Sequence, residues 1–251
     1  MTRLKKDIVS LLLTSGITKP LDMVRGIVVI QWLRPEMYGL LSLLHQITDA
    51  AKYGELGFLS AIQRDYNYYR SNNPSYAEHI KNVGFSGEIV LSLIMTLLIG
   101  TIAWFYRDSM LICVGILASA LGLLLTKWLR LFHLYLKITK QFVYLSRIVL
   151  LQSLLLTVGV VGLLPVVGIY APLSIPVIVV AISIFILWRT VDLHFKPSFD
   201  YAELRRQVFI GMQLGGLTVL SGVALYTERF IIAGTLGLES VGYYSFIISL
   251  I

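Results

Sequence analysis

The sequence predicts an all-α integral membrane protein, a multi-helix bundle, on three observations. Hydrophobic residues make up 57% of the chain, charged residues only 14%, and the mean hydropathy is +0.78. A soluble globule carries about 25% charged residues. Apolar runs near the length of about 20 residues that crosses a bilayer recur along the whole chain. Lys and Arg crowd into alternate connecting segments rather than spreading evenly.

The predicted spans are Ile8–Leu33, Tyr38–Ile62, Val83–Phe105, Met110–Leu125, Ile148–Gly168, Leu173–Trp188 and Val208–Gly234, with an eighth beginning near Val241. The first two carry several charges and rank lowest in hydropathy. The fourth and sixth are short, and Pro176 interrupts the sixth. Met1–Lys6 is basic and an apolar stretch follows, as in a signal peptide. The helical pattern continues through Lys19, Asp22 and Arg25 with no cleavage site, so it reads as a retained first helix.

With the N-terminus in the cytoplasm, the inside segments hold Arg3, Lys5 and Lys6; Arg64, Arg70 and Lys81; Lys127, Arg130, Lys137, Lys140 and Arg147; and Arg189, Lys196, Arg205 and Arg206. The outside turns hold only Arg34 and Arg107. This is the positive-inside pattern. It accounts for the net charge of +7 without a nucleic-acid partner. Within Lys127–Arg147 the basic residues fall at spacings that keep them near one helical face. Two readings stay open: a helix lying in the interface against anionic lipid, or an extension of a neighbouring span. Cys113 is the only cysteine, which excludes an intrachain disulfide.

A short internal repeat links the two ends of the chain. Leu33, Glu36, Gly39 and Ser42 coincide at one offset with Leu236, Glu239, Gly242 and Ser245, and Arg25 and Arg229 precede the two turns with a one-residue slip. Six spans separate the copies, so both copies have one orientation in the membrane. That is the parallel-repeat arrangement of two lobes. The expected organisation is a six-helix N-terminal lobe over residues 1–190, an inter-lobe linker over 191–207, and the start of a C-terminal lobe over 208–251. The eighth span stops at about half length, from which a truncated form of a longer protein is expected.

A charge at the centre of a spanning helix costs about 2.5–3.5 kcal/mol on insertion scales, so such residues normally face a bundle interior. The first span carries Lys19, Asp22 and Arg25, the second Asp49, Lys52 and Glu55, the third Glu88, and the seventh Glu228 and Arg229. One reading makes Asp22–Arg25 and Asp49–Lys52 ion pairs that hold two helices together. The other places Lys19, Arg25, Lys52 and Arg229 around a cationic cavity, with Asp22, Asp49 and Glu228 orienting them or coupling to a cation. Such a cavity suits a phosphate-bearing ligand. Glu55 and Glu88 lie nearer helix ends and read as solvated. His45, His79, His133 and His194 lack zinc-ligand spacing, and His45 reads as a packed residue. Pro165, Pro172 and Pro176 shape the turn between the fifth and sixth spans. There is no Gly-rich phosphate loop.

Arg25 followed by Trp32-Leu33-Arg34-Pro35-Glu36-Met37-Tyr38-Gly39-Leu40 resembles the "R-x-L-G-P-E-x-Y-G" turn of polysaccharide and O-antigen flippases. Leu56-Gly57-Phe58-Leu59-Ser60-Ala61-Ile62-Gln63-Arg64 resembles their "L-G-L-x-x-A-x-x-R". Pro197-Ser198-Phe199-Asp200, Leu204-Arg205-Arg206 and Gly211 are similar to their linker, and Glu228-Arg229-Phe230-Ile231-Ile232-Ala233 with Val241-Gly242-Tyr243-Tyr244 to their "D-R-x-x-I-G" and "V-G-x-Y". Arg34 stands for a common Gly and Glu228 for a common Asp.

The resemblance covers the whole chain and implies the multidrug/oligosaccharidyl-lipid/polysaccharide transporter superfamily, with its two-lobe multidrug-and-toxin-extrusion-like fold. Here the first lobe would be complete, with helix 7 and part of helix 8 following. The implied function is flipping of a polyprenyl-diphosphate-linked oligosaccharide from the cytoplasmic to the periplasmic leaflet of the bacterial inner membrane, by alternating access. The chain would be a carrier rather than an enzyme. No cofactor is expected, and an H+ or Na+ gradient is the candidate drive. Membrane lipids and other polysaccharide-assembly proteins are the candidate partners. A drug/cation antiporter and a lipid II flippase are the neighbouring alternatives, and a membrane-bound polymerase or glycosyltransferase the remote one.

Overall fold

In the computed structural model, which describes residues 3–53 and 57–249, the chain forms helices joined by short turns, with no strand among the described residues. They are α1 (Arg3–Trp32), α2 (Pro35–Tyr53), α3 (Phe58–Tyr69), α4 (Pro74–Phe105), α5 (Met110–Ile138), α6 (Phe142–Val167), α7 (Tyr170–Thr190), α8 (Tyr201–Leu236) and α9 (Leu238–Ser249). Each of α4, α5, α6 and α7 is long and apolar enough to cross a membrane. The two halves of α8, Tyr201–Leu217 and Leu220–Leu236, meet that standard together with a 51° bend between them. The chain is a multi-pass membrane protein. Helix α1, although 30 residues long, and α2 fall short of the same standard. Polar and charged residues such as Lys19, Asp22, Arg25 and Asp49 dilute their apolar character.

The segment expected as the second span falls into two helices, α2 and α3, and Gly57, with φ +74, stands at the start of α3. That left-handed conformation is one glycine adopts without steric cost. A second constraint acts there: a Cβ on Gly57 would stand 2.3 Å from the Gly211 carbonyl oxygen of α8. Of the two readings for Lys127–Arg147, the structure takes the extension. Helix α5 runs on to Ile138 and closes with Gln141 N–H donating to the Leu136 carbonyl (2.8 Å) and Lys140 N–H to that of Lys137 (3.1 Å). This is the paired bonding of a Schellman ending, with Lys140 at φ +59 where glycine is usual. Pro176 does not interrupt α7, which continues through it from Tyr170 to Thr190. Pro165 lies inside α6, and the turn itself is made at Gly168, φ +58.

The basic segments gather at one end of the bundle, called here the basic end. Helix α1 lies along α6, α5 packs against both α4 and α7, and α2 lies along α9. The main apolar core joins Leu41, Leu44, Leu123 and Val160. A second cluster beneath α3 includes Ile62, Ile80, Phe85 and Ile138.

Glu88 is not solvated. Its carboxylate accepts from Lys127 Nζ at 3.0 Å, and both side chains are 0% exposed. A solvated end was the expectation. Instead α4 and α5 each continue past this level, so the pair is enclosed between them. Burial without neutralisation would cost several kcal/mol per ion, and the mutual pairing offsets it.

Between α7 and α8 the chain is non-helical over 192–200 and docked on α4. Lys196 N–H donates to Asn82 Oδ1 (3.3 Å), Ser198 N–H to Ser86 Oγ (3.0 Å), and Lys81 Nζ to the His194 carbonyl (2.7 Å). Asp200 caps α8 by accepting from Ala202 and Glu203 N–H at 3.0 and 3.1 Å, which satisfies two orphan donors of the first turn. The helix therefore starts inside the segment expected as linker.

Candidate functional site

Two adjoining cavities of about 300 and 280 Å³ lie among α1, α2, α5, α6 and α7, with α8 closing one side. Arg25, His45, Asp49 and Pro172 belong to the walls of both. Polar residues enter from α2 because Ser42, His45, Gln46 and Asp49 recur every three or four positions and so share one helical face. The opposite face of α2, with Leu40 and Leu44, joins the core. Ser119 and Thr126 of α5 line the first cavity, and Tyr38 and Arg229 the second.

Arg25 is held from one side only. Its Nη2 pairs with Asp22 Oδ1 at 2.9 Å, one helical turn back. Its Nη1 is buried and has no hydrogen-bond partner among the described residues. A buried donor left unmade costs about 1–3 kcal/mol, more when charged, so this atom is the part of the wall most in want of an anionic or carbonyl acceptor. Arg229 reaches across from α8, donating from Nη1 to Ser42 Oγ at 2.9 Å, and Ser42 is bonded to Ser245 of α9 at 2.8 Å.

Of the seven predicted site residues, the structure brings Arg25, Asp49 and Arg229 into the cavity walls. Asp22 supports Arg25 from the exposed side. Lys19 is exposed and lines neither cavity. The reason is helical geometry: at about 100° per residue, each step of three drifts by about 60°, so Lys19 and Arg25 point about 120° apart. Glu228 is exposed and accepts the hydroxyl of Tyr244; as the neighbour of Arg229 it points to a different side of α8. The side chain of Lys52, and Glu55, lie outside the described residues. The reading of His45 as a packed residue is corrected: it is exposed and lines both cavities. The signal was its spacing of four from Asp49. Among the described residues, no group of three or more His, Cys, Asp or Glu is arranged to hold a metal ion.

A close backbone contact lies toward each end of α2 and its continuation. At the far end α2 and α9 meet reciprocally. A Cβ on Gly39 would stand 2.0 Å from the Leu238 carbonyl oxygen, and one on Gly242 2.0 Å from that of Pro35. Glycine is required there because any side chain would collide with backbone. At the basic end Gly57 meets Gly211, and Arg206 of α8 pairs with Asp65 of α3 at 2.9 Å and with Glu203 at 2.8 Å. Tyr76 and Gln207 donate to Glu203 at 3.0 and 2.9 Å. In the adjoining linker the Asp200 carboxyl is held below its ordinary value, first by the Glu203 backbone N–H and next by His79.

The site is thus a polar cavity among packed helices, with a backbone-tight contact toward each end of the bundle. The chain's fold is similar to that of a solved transporter of the MOP superfamily from Pyrococcus furiosus Vc1, with a TM-score of 0.58 at 15% sequence identity. The match covers 94% of this chain and 63% of that one, so this chain spans less than two-thirds of that transporter's length. For that transporter, reverse polarity of the binding pocket is described as suggesting a different function. The model of a family described as polysaccharide biosynthesis protein matches residues 28–250, and the chain belongs to that family. No curated protein matches it.

Proposed function

We propose that the chain is the substrate-binding portion of a flippase that moves a polyprenyl-diphosphate-linked oligosaccharide from the cytoplasmic to the periplasmic leaflet of a bacterial inner membrane. The observation that carries this reading is the buried Arg25 Nη1 without a hydrogen-bond partner among the described residues, set in a wall that Arg229 also reaches. Guanidinium groups suit phosphate oxygens because their planar fork gives charge-assisted, two-point bonds. Membership of a polysaccharide biosynthesis family supports a saccharide cargo, and the shared fold supports a carrier rather than an enzyme.

In this reading the basic end faces the cytoplasm, as the distribution of Lys and Arg favours. The first lobe comprises α1 to α7, and α8 and α9 open the second. Arg25 and Arg229 hold the diphosphate, Asp22 and Asp49 fix the arginines and exchange protons or Na+ during the cycle, and Ser42, His45 and Tyr38 offer hydrogen bonds to sugar hydroxyls. The lipid tail stays in the bilayer. Alternating access would release the Gly57–Gly211 and Asp65–Arg206 contacts to admit substrate, then the Gly39–Gly242 contact to discharge it.

Binding of a polyprenyl diphosphate to the purified protein tests the reading. Each charge-assisted bond contributes about 1.5–3 kcal/mol, so R25Q should weaken binding roughly 10- to 150-fold. Equal affinity of wild type and R25Q/R229Q would overturn it. Asp49 in the same wall favours a second reading, a cation antiporter, in which D49N would abolish binding of a lipophilic cation and R25Q would not.

A further inference from the structure

We propose that a third cavity, of about 930 Å³ at the basic end, binds the phosphate group of an anionic lipid headgroup. It shares no wall residue with the cavities around Arg25 and lies about 27 Å from that level along α1, counted from Asp7 at about 1.5 Å per residue. The proposal does not rest on the flippase reading.

Four parts of the chain converge there: the start of α1, the end of α3 with its following turn, the end of α5, and the α5–α6 turn. They bring three cations, Arg70, Lys137 and Lys140, against one carboxylate, Asp7. Arg70 is pinned by its Nη1, which donates to the Ile138 carbonyl at 2.7 Å, so the rest of its fork is held in place rather than swept by solvent. Lys137 and Lys140 make no ion pair among the described residues. Asn67 and Ser71 add neutral hydrogen-bonding groups to the wall. Neutralising such a cluster needs an anion with several acceptor oxygens, as a phosphodiester has.

A second observation is independent of the charge count. Lys140 has φ +59 at the position that follows the last turn of α5, where glycine is the residue without steric cost. The fold of the turn does not ask for lysine, whereas a site for an anion does. The position of the cavity selects the source of the phosphate. Just beyond Asp7, α1 exposes Leu11, Leu12 and Leu13, apolar surface suited to acyl chains, and this neighbourhood favours a lipid phosphate at the hydrocarbon–headgroup boundary over a soluble one. Basic pockets between spanning helices at that depth take anionic headgroups.

The test is native mass spectrometry of the purified protein in detergent, with phosphatidylglycerol or phosphatidylcholine of the same acyl chains, and inorganic phosphate as competitor. Retention of phosphatidylglycerol over phosphatidylcholine is expected. It should fall about fivefold per cation removed, hence about 25-fold in K137Q/K140Q. In K140G it should also fall about fivefold, while the melting midpoint stays level or rises because the turn is relieved. Equal retention of the two lipids, or unchanged retention in K137Q/K140Q, overturns the site. Displacement of phosphatidylglycerol by millimolar inorganic phosphate overturns the lipid assignment and leaves a site for soluble phosphate.

Discussion

Removing either member of the Glu88–Lys127 pair should destabilise the bundle more than any other single charge deletion in α4 or α5. The two atoms stand 3.0 Å apart and both side chains are 0% exposed. At an effective dielectric of 20 their attraction is about 5.5 kcal/mol. Most of this offsets the cost of taking two ions out of water. The useful quantity is therefore the cost of breaking a buried pair by removing one partner, about 3–5 kcal/mol. K127M removes the ammonium 3.0 Å from Glu88 and E88Q the carboxylate beside Lys127, so each should show that loss. E88Q/K127M removes both charges and should recover most of it, because a neutral pair of similar volume needs no compensation. The charge reversal E88K/K127E should also recover more than either single reversal. The assay is thermal unfolding in detergent, where the single variants should melt roughly 6–20 °C below wild type, taking about 2–4 °C per kcal/mol for a chain of this size. Single variants within about 1 kcal/mol of wild type, or losses that simply add in the double variant, would refute the pairing as the reason Glu88 is tolerated there.

Three further outcomes follow from the geometry. In S42C/S245C, the two thiols should crosslink under mild oxidation, since the serine oxygens lie 2.8 Å apart. Adding G39A should cut that yield severalfold, because its methyl group meets backbone at 2.0 Å and must wedge α2 from α9; an unchanged yield would mean that the helices do not pack as described. Asp200 caps α8 as a carboxylate whose affinity for protons is lowered by folding. Its contribution is therefore complete above the ordinary aspartate value of about 3.9 and disappears as pH falls through the lower folded value. The melting midpoint of wild type should drop across that window more than that of D200N, which keeps a capping oxygen without a titrating charge, and parallel curves would contradict the assignment. H45A should lower transport while leaving the unfolding free energy within about 0.5 kcal/mol of wild type, as expected for an exposed cavity-wall residue rather than a packed one.

The helices legible in the sequence were those whose identity is local. The apolar runs at Val83–Phe105 and Met110–Leu125 mark α4 and α5 unambiguously, and the turn at Arg34 follows from Pro35 at the first position of α2. Features set by distant partners were not legible. Gly54 and Gly57 mark a weak point in the helical pattern, but what constrains Gly57 is Gly211 on another helix. Lys127 shares the periodicity of surface lysines, and only its meeting with Glu88, 39 positions earlier, explains its burial. The coincidence of Gly39 with Gly242 and of Ser42 with Ser245 was visible as a short repeat. That the same residues touch each other, 203 positions apart, comes from the fold. In the cavity, residue type identified Arg25, Asp49 and Arg229, whereas the sides to which Lys19 and Glu228 point required the helix axes.

The most direct measurement is made in a strain lacking the gene, complemented with wild type or R25Q/R229Q, in which surface polysaccharide and cell-associated polyprenyl-linked oligosaccharide are quantified together at matched protein abundance. A cationic flippase cavity predicts that wild type restores the first and clears the second, whereas R25Q/R229Q loses surface polysaccharide and accumulates the lipid-linked precursor. Full export by R25Q/R229Q, with no precursor accumulating, would contradict it.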